Sequence, residues 1–334
     1  MKALMFLTSI LLALITQYAN ATGFQRIFVT DPYDKTIEVG VWYPSDSVSP
    51  NAANTPFRQA LALDNPVKSG SYPLILFSHG YGGWMGGHAS TALALAEAGY
   101  IVAAPTHTGN NYEDESYPPQ RWMLDRPRHM KQTIDHLLNN WIGMENIDPT
   151  RIGMFGFSAG GYTALVSSGA VPNIQKLLTH CQKHPSEIAC KLGANNEIAI
   201  AELAKQPSNA WNHDLRISAT VVIAPGFGFA FDQASLEKVT LPLQLWSGTK
   251  DLNVPTKTNA DVIFQSLPKP AEYHLIKDAG HFAFLSPCNP ALQQQNPRVW
   301  NMVCVDAPTF DREEFQKEFN KEVINFFNKS LTAK

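Results

Sequence analysis

The chain has 334 residues, 44% of them hydrophobic and 16% charged, with a formal net charge of -3. That balance excludes a disordered or repetitive chain. No basic stripe suggests a nucleic-acid surface and no acidic tail a cationic partner, so a globular enzyme acting on a small molecule fits better.

At the start, Lys2 precedes an apolar run from Ala3 to Ile15 and then the small-x-small sequence Ala19-Asn20-Ala21. This predicts a signal peptide of residues 1–21, a domain of residues 22–334, and a periplasmic or secreted protein. The apolar run is shorter than the roughly 20 residues of a membrane span, and no other stretch is long and apolar enough for one. In an oxidising compartment four cysteines are expected to pair. Cys181 and Cys190 share one polar segment, Cys288 and Cys304 another, so two sequence-local disulfides are expected. His180-Cys181-Gln182-Lys183-His184 has the look of a metal-ligand pattern but is assigned to the first disulfide loop.

Two β-rich stretches, Phe24 to Thr30 and Thr36 to Tyr43, flank Asp31-Pro32 and predict an antiparallel hairpin. A strand through Leu74-Ile75-Leu76-Phe77 leads into His79-Gly80-Tyr81-Gly82-Gly83. A helix over Ala89 to Ala98 and a strand over Tyr100 to Ala104 follow. A second helix is expected from Asp125, with Pro127 in its first turn, to about Trp141. Arg151 to Phe157 predicts a strand and Ser158 to Ser168 a helix. The polar, mixed segment from about 171 to 212 interrupts the alternation and predicts an insertion over the sheet. Strands at Ile217 to Ala224, Leu241 to Trp246 and Glu272 to Ile276, a helix near Lys257 to Gln265, and an amphipathic helix carrying Phe315, Phe319, Val323 and Phe326 complete the chain. The alternation predicts an α/β fold, a mostly parallel sheet with helices on both faces.

Gly156-Phe157-Ser158-Ala159-Gly160 matches G-x-S-x-G. Glycine and serine are common enough that the pattern alone is weak; its position between a strand and a helix is what gives it content. A sharp turn there exposes the serine hydroxyl, and the helix start aims free N–H groups at a developing oxyanion. Ser158 is the expected nucleophile. It needs a base and an acid, in the chain order Ser, acid, His. His281, in a glycine-containing loop after a strand, is preferred over His274, which lies within the strand. Asp251 follows the strand Leu241 to Trp246 and is the expected acid; Asp232, beyond the preceding strand, is the alternative. The N–H groups of Tyr81 and Ala159 are the expected oxyanion donors. His79 is expected to hydrogen-bond structurally, and His107 and Trp84 to line the pocket or pack in the loops.

Val41-Trp42-Tyr43-Pro44, Phe77-Ser78-His79-Gly80, Ala104-Pro105 with His107, Gly156 to Gly161, and Ala279-Gly280-His281-Phe282 together resemble the bacterial dienelactone-hydrolase-like proteins related to platelet-activating-factor acetylhydrolases. The resemblance covers most of the mature chain. It implies the α/β-hydrolase fold and hydrolysis of carboxylic esters, small or lipid, without a metal or organic cofactor. The eukaryotic acetylhydrolases carry their acid where this chain reads Ala224-Pro225-Gly226, a departure that favours Asp251. A peptidase or acyltransferase on the same fold, and a non-catalytic binding protein, are the competing readings. Oligomeric state and acyl length stay open.

Overall fold

The computed structural model describes residues 20–194 and 197–332, so the expected signal peptide lies outside the described residues except for Asn20 and Ala21. Among the described residues, nine strands form a single sheet in the order β3-β1-β2-β5-β4-β6-β7-β8-β9. The strands are β1 (Asn20–Val29), β2 (Ile37–Val48), β3 (Ala62–Leu63), β4 (Tyr72–Ser78), β5 (Ile101–Thr106), β6 (Ile147–Phe157), β7 (Ile217–Ile223), β8 (Leu243–Gly248) and β9 (Glu272–Ile276). β1 and β2 form the antiparallel hairpin, and β2 runs antiparallel to β5. From β5 to β9 every pairing is parallel.

Successive strand residues feed opposite cores. Leu74 and Leu76 of β4 face one apolar cluster, and Ile75 and Phe77 the other. Both faces of the central strands are therefore buried, which is why they read as unbroken apolar runs. One face is covered by α2 (Pro119–Asn139) and α3 (Ala159–Ser167), with α4 (Ile174–Lys183) and α5 (Glu197–Ala204) beyond them. The other is covered by α1 (Ala89–Glu97) and the long final helix. Between these lie short α6 (Gln233–Leu236), α7 (Ala260–Ser266), α8 (Leu292–Gln295) and α9 (Pro297–Val303), and the final helix is α10 (Arg312–Ser330). α10 buries Phe319, Val323 and Phe327 fully.

Helix α2 starts at Pro119, six residues before the Asp125 expected from sequence. Pro119 occupies the first turn, and Pro127 sits inside the helix. An internal proline costs one backbone hydrogen bond, and the buried stripe of Trp122, Met123, Met130, Ile134 and Leu137 outweighs that cost. The 171–212 segment supplies α4 and α5. Cys181 pairs with Cys190, Cα atoms 5.3 Å apart, and Cys288 pairs with Cys304, Cα atoms 5.8 Å apart. His180 and His184 stack on one another, and His180 also stacks on Phe229 at 3.7 Å, which ties this segment to the loop after β7. No described helix is long and apolar enough to cross a membrane.

Candidate active site

Strand β6 ends at Phe157 and α3 begins at Ala159, leaving Ser158 alone in the turn with φ 56° and ψ -117°. A side chain at positive φ is strained, so the surroundings must hold it there. Ser158 N–H donates to the Ile223 carbonyl at 2.9 Å, and the Ser158 carbonyl accepts from Gly226 N–H at 2.9 Å and Gly161 N–H at 2.8 Å. The loop after β7 thus clamps the turn from one side. A Cβ on Gly156 would overlap the Gly160 carbonyl oxygen, and one on Gly160 would overlap the Ser78 carbonyl oxygen, so the two flanking positions admit only glycine.

Two further loops at the same strand ends bring in the other groups. Asp251 follows β8, and His281 opens a short helical turn after β9. The loops are stitched together: Thr249 N–H donates to the Ile276 carbonyl and Lys250 N–H to the Ala279 carbonyl, both at 2.9 Å, and Asp278 N–H donates to Thr249 Oγ1 at 2.8 Å. His281 Nδ1 lies 2.7 Å from Asp251 Oδ2, and His281 Nε2 lies 3.0 Å from Ser158 Oγ. Asp251 Oδ1 accepts from the N–H groups of Asn253 at 3.0 Å and Val254 at 2.7 Å. A carboxylate accepts only, so the proton of the neutral imidazole belongs on Nδ1, leaving Nε2 free to accept from the serine hydroxyl. That line can move a proton from Oγ to Nε2 with a buried carboxylate behind it.

The alternative residues lie elsewhere. Asp232 caps α6, accepting from Ser235 N–H at 2.9 Å, and pairs with Lys176 at 3.1 Å. His274 stacks on Trp246 at 3.9 Å and bonds Glu272 at 2.8 Å. His107 is fully buried behind the sheet edge, 2.9 Å from Ser78 Oγ, so it packs rather than lines a pocket. Trp84 packs loosely between Phe57 and Tyr112, ring centroids 6.1 and 5.8 Å away.

The His79-Gly80-Tyr81 loop reaches the same place, since a Cβ on Gly80 would lie 3.4 Å from Ser158 Cβ. Among the described residues, neither Tyr81 N–H nor Ala159 N–H is taken by a hydrogen bond, and the latter is a helix-start donor with no intrahelical acceptor. His79 is fixed by its neighbours. Its Nε2 accepts from His107 N–H at 3.0 Å, which leaves Nδ1 as the protonated nitrogen, 2.7 Å from the Gly80 carbonyl oxygen. Burial and the neighbouring Arg126 charge hold His79 well below the usual histidine range. Arg126, which sequence reasoning passed over, stands behind this loop. Its place in the helical stripe Trp122, Arg126, Met130 was the available signal.

Asp34, Asp125 and His129 form a cluster with metal-ligand character. Each is already engaged: Asp34 by Tyr117 and Arg121, Asp125 by Arg121 and Arg128, His129 by Asp31 and Thr108. Three carboxylates facing two arginines make an ion-pair network that braces α2 against the β1–β2 turn.

The family model described as BD-FAE matches residues 63–261. The platelet-activating factor acetylhydrolase of Cavia porcellus is 26% identical over 131 residues, a match spanning 34% of this chain and 29% of that protein's length. A ferulic acid esterase from Streptomyces cinnamoneus superposes with a TM-score of 0.64 at 16% identity, over 96% of this chain and 92% of that one. That likeness extends to the whole α/β-hydrolase architecture.

Proposed function

Since the chain belongs to the BD-FAE family, an α/β-hydrolase esterase family, we propose that it hydrolyses carboxylic esters through an acyl-enzyme formed on Ser158. The observation that carries this reading is the unbroken line from Asp251 through His281 to Ser158, at 2.7 and 3.0 Å.

Ser158 Oγ attacks the ester carbonyl as its proton passes to His281 Nε2, and Asp251 stabilises the imidazolium. The N–H groups of Tyr81 and Ala159 receive the oxyanion, stabilisation being strongest where donors are preorganised. Nε2 returns the proton to the departing alcohol, leaving the acyl group on Oγ. Water then attacks the acyl-enzyme with His281 again as base, releasing the acid and restoring Ser158.

The names of the two relatives bracket the substrates to try, an acetyl ester at one end and a hydroxycinnamate ester at the other. We further propose that the chain is exported and cleaved after Ala21. Two disulfides and the leading apolar run support export, and sequencing the N-terminus of the mature protein tests it. Hydrolysis of p-nitrophenyl acetate by the wild type and by Ser158→Ala tests the chemistry: the variant should stay folded and lose turnover. Retained turnover would remove Ser158 from the mechanism.

A further inference from the structure

Arg126 is the largest fully buried charged side chain among the described residues, with no exposed surface. It has no ion-pair partner among the described residues. Its Nε and Nη1 have no hydrogen-bond partner there either. Burying an unpaired guanidinium is costly, and a Met or Leu would fill the same volume at less cost. Its polar contacts gather on the candidate oxyanion loop: Nη2 donates to the Gly80 carbonyl oxygen at 3.0 Å and lies 3.1 Å from His79 Nδ1.

That carbonyl is held unusually firmly. Besides Arg126, it lies 2.7 Å from the protonated Nδ1 of His79 and accepts from Gly83 N–H at 3.1 Å. The Gly80 carbonyl and the Tyr81 N–H belong to one peptide plane, and no peptide among the described residues is cis. In a trans peptide the C=O and N–H point in opposite directions. Three donors that fix the oxygen inward therefore fix the Tyr81 N–H outward. A positive charge on the oxygen also polarises the peptide and strengthens its N–H as a donor. Burial lowers the Arg126 pKa to about 9, which leaves it charged at neutral pH.

We propose that Arg126 is a positioning residue for ester hydrolysis, aiming and polarising the Gly80–Tyr81 peptide so that Tyr81 N–H meets the oxyanion. The inference rests on the esterase reading above, and the Ser158→Ala control separates the two. The experiment compares wild type, Arg126→Met and Arg126→Lys at pH 7.5 on p-nitrophenyl acetate, together with inhibition by a short trifluoromethyl ketone, whose hemiketal oxyanion needs the same donors.

Removing a whole oxyanion donor costs roughly 100- to 1000-fold in kcat. Misaiming one should cost Arg126→Met about 10- to 100-fold in kcat, with KM within about 2-fold. Inhibitor affinity should fall in parallel, and the unfolding midpoint should hold or rise. Arg126→Lys, which keeps the charge without the planar reach, should recover part of the loss. A folded Met or Lys variant with wild-type kcat and inhibitor affinity would overturn the proposal. So would a loss of activity that only tracks a lowered unfolding midpoint. If Arg126→Met does not fold, the Lys variant alone decides: reduced kcat and inhibitor affinity at unchanged KM and midpoint support the proposal. If Ser158→Ala retains turnover, the esterase site itself is elsewhere, and the proposal falls with it.

Discussion

Val254 N–H donates to Asp251 Oδ1 at 2.7 Å, on the carboxylate oxygen turned away from His281. With Asn253 N–H on the same oxygen, the turn holds the carboxylate so that Oδ2 alone faces the imidazole. Asp251→Asn can keep those two contacts and yet offer an NH2 to His281 Nδ1, which would turn Nε2 into a donor facing the serine. The expected loss in kcat is about 10^4-fold, the scale seen when a triad acid becomes its amide.

The same measurement on Asp232→Ala discriminates between the two acids that the sequence offers. Asp232 is an N-cap in this fold, so its loss should cost about 1 kcal/mol of stability and leave kcat at the wild-type level. A large loss of kcat with Asp232→Ala and little with Asp251→Asn would reverse the assignment.

Glycine substitutions report on the turn at Ser158. Gly160→Ala places a methyl group into the Ser78 carbonyl oxygen, a backbone atom that has nowhere to go. About 3 kcal/mol or more of stability should be lost. Gly280, by contrast, has nothing within 4 Å of an added Cβ and an ordinary φ of -84°. Urea unfolding of Gly280→Ala should differ from wild type by under about 1 kcal/mol. Equal destabilisation by the two would mean that close approach at Gly160 is not what the turn requires.

Acid should unfold the protein partly through His88. Burial against Phe155 and Phe157 lowers its pKa from 6.5 to about 3. In this window the unfolded chain takes up a proton that the folded chain refuses. Stability is therefore complete above pH 6.5 and is lost as pH falls toward 3, at up to about 1.4 kcal/mol per pH unit from this residue. His88→Leu removes that dependence, so the difference in unfolding free energy between pH 7 and pH 4.5 should shrink relative to wild type. An unchanged difference would show that His88 is protonated in the fold.

The Cys288–Cys304 bridge closes a loop of sequence separation 16, a length for which chain-entropy reasoning gives about 3 kcal/mol. Cys288→Ser with Cys304→Ser should lower the urea midpoint accordingly. Peptide mapping without reductant should recover the 181–190 and 288–304 pairs. Any cross-pairing would contradict the connectivity.

What was legible in the sequence was local. The strand–turn–helix around Ser158, the Asp251 turn and the His281 loop are each one short contiguous stretch of chain and carry their own glycine and β-branched punctuation. The start of α2 was misjudged because two prolines, Pro119 and Pro127, offer the same first-turn signal, and only the buried stripe from Trp122 onward distinguishes them. The set Asp31, His79, His107, Arg126 and His129 was illegible for a different reason. Its members come from four separate segments and meet only once β4, β5 and α2 are stacked; the helical stripe could place Arg126 on a buried face, but no spacing along the chain brings the five together. The same holds for β3, two residues long, which is a strand only because β1 lies beside it.

The central claim is that one serine, Ser158, is made nucleophilic by His281 and Asp251. Treating the folded protein with a fluorophosphonate and locating the adduct by peptide mass spectrometry tests it most directly. A single adduct on Ser158, formed in wild type and sharply slowed in His281→Ala, is the expected result. No adduct on folded wild-type protein, or an adduct on another serine, would contradict it.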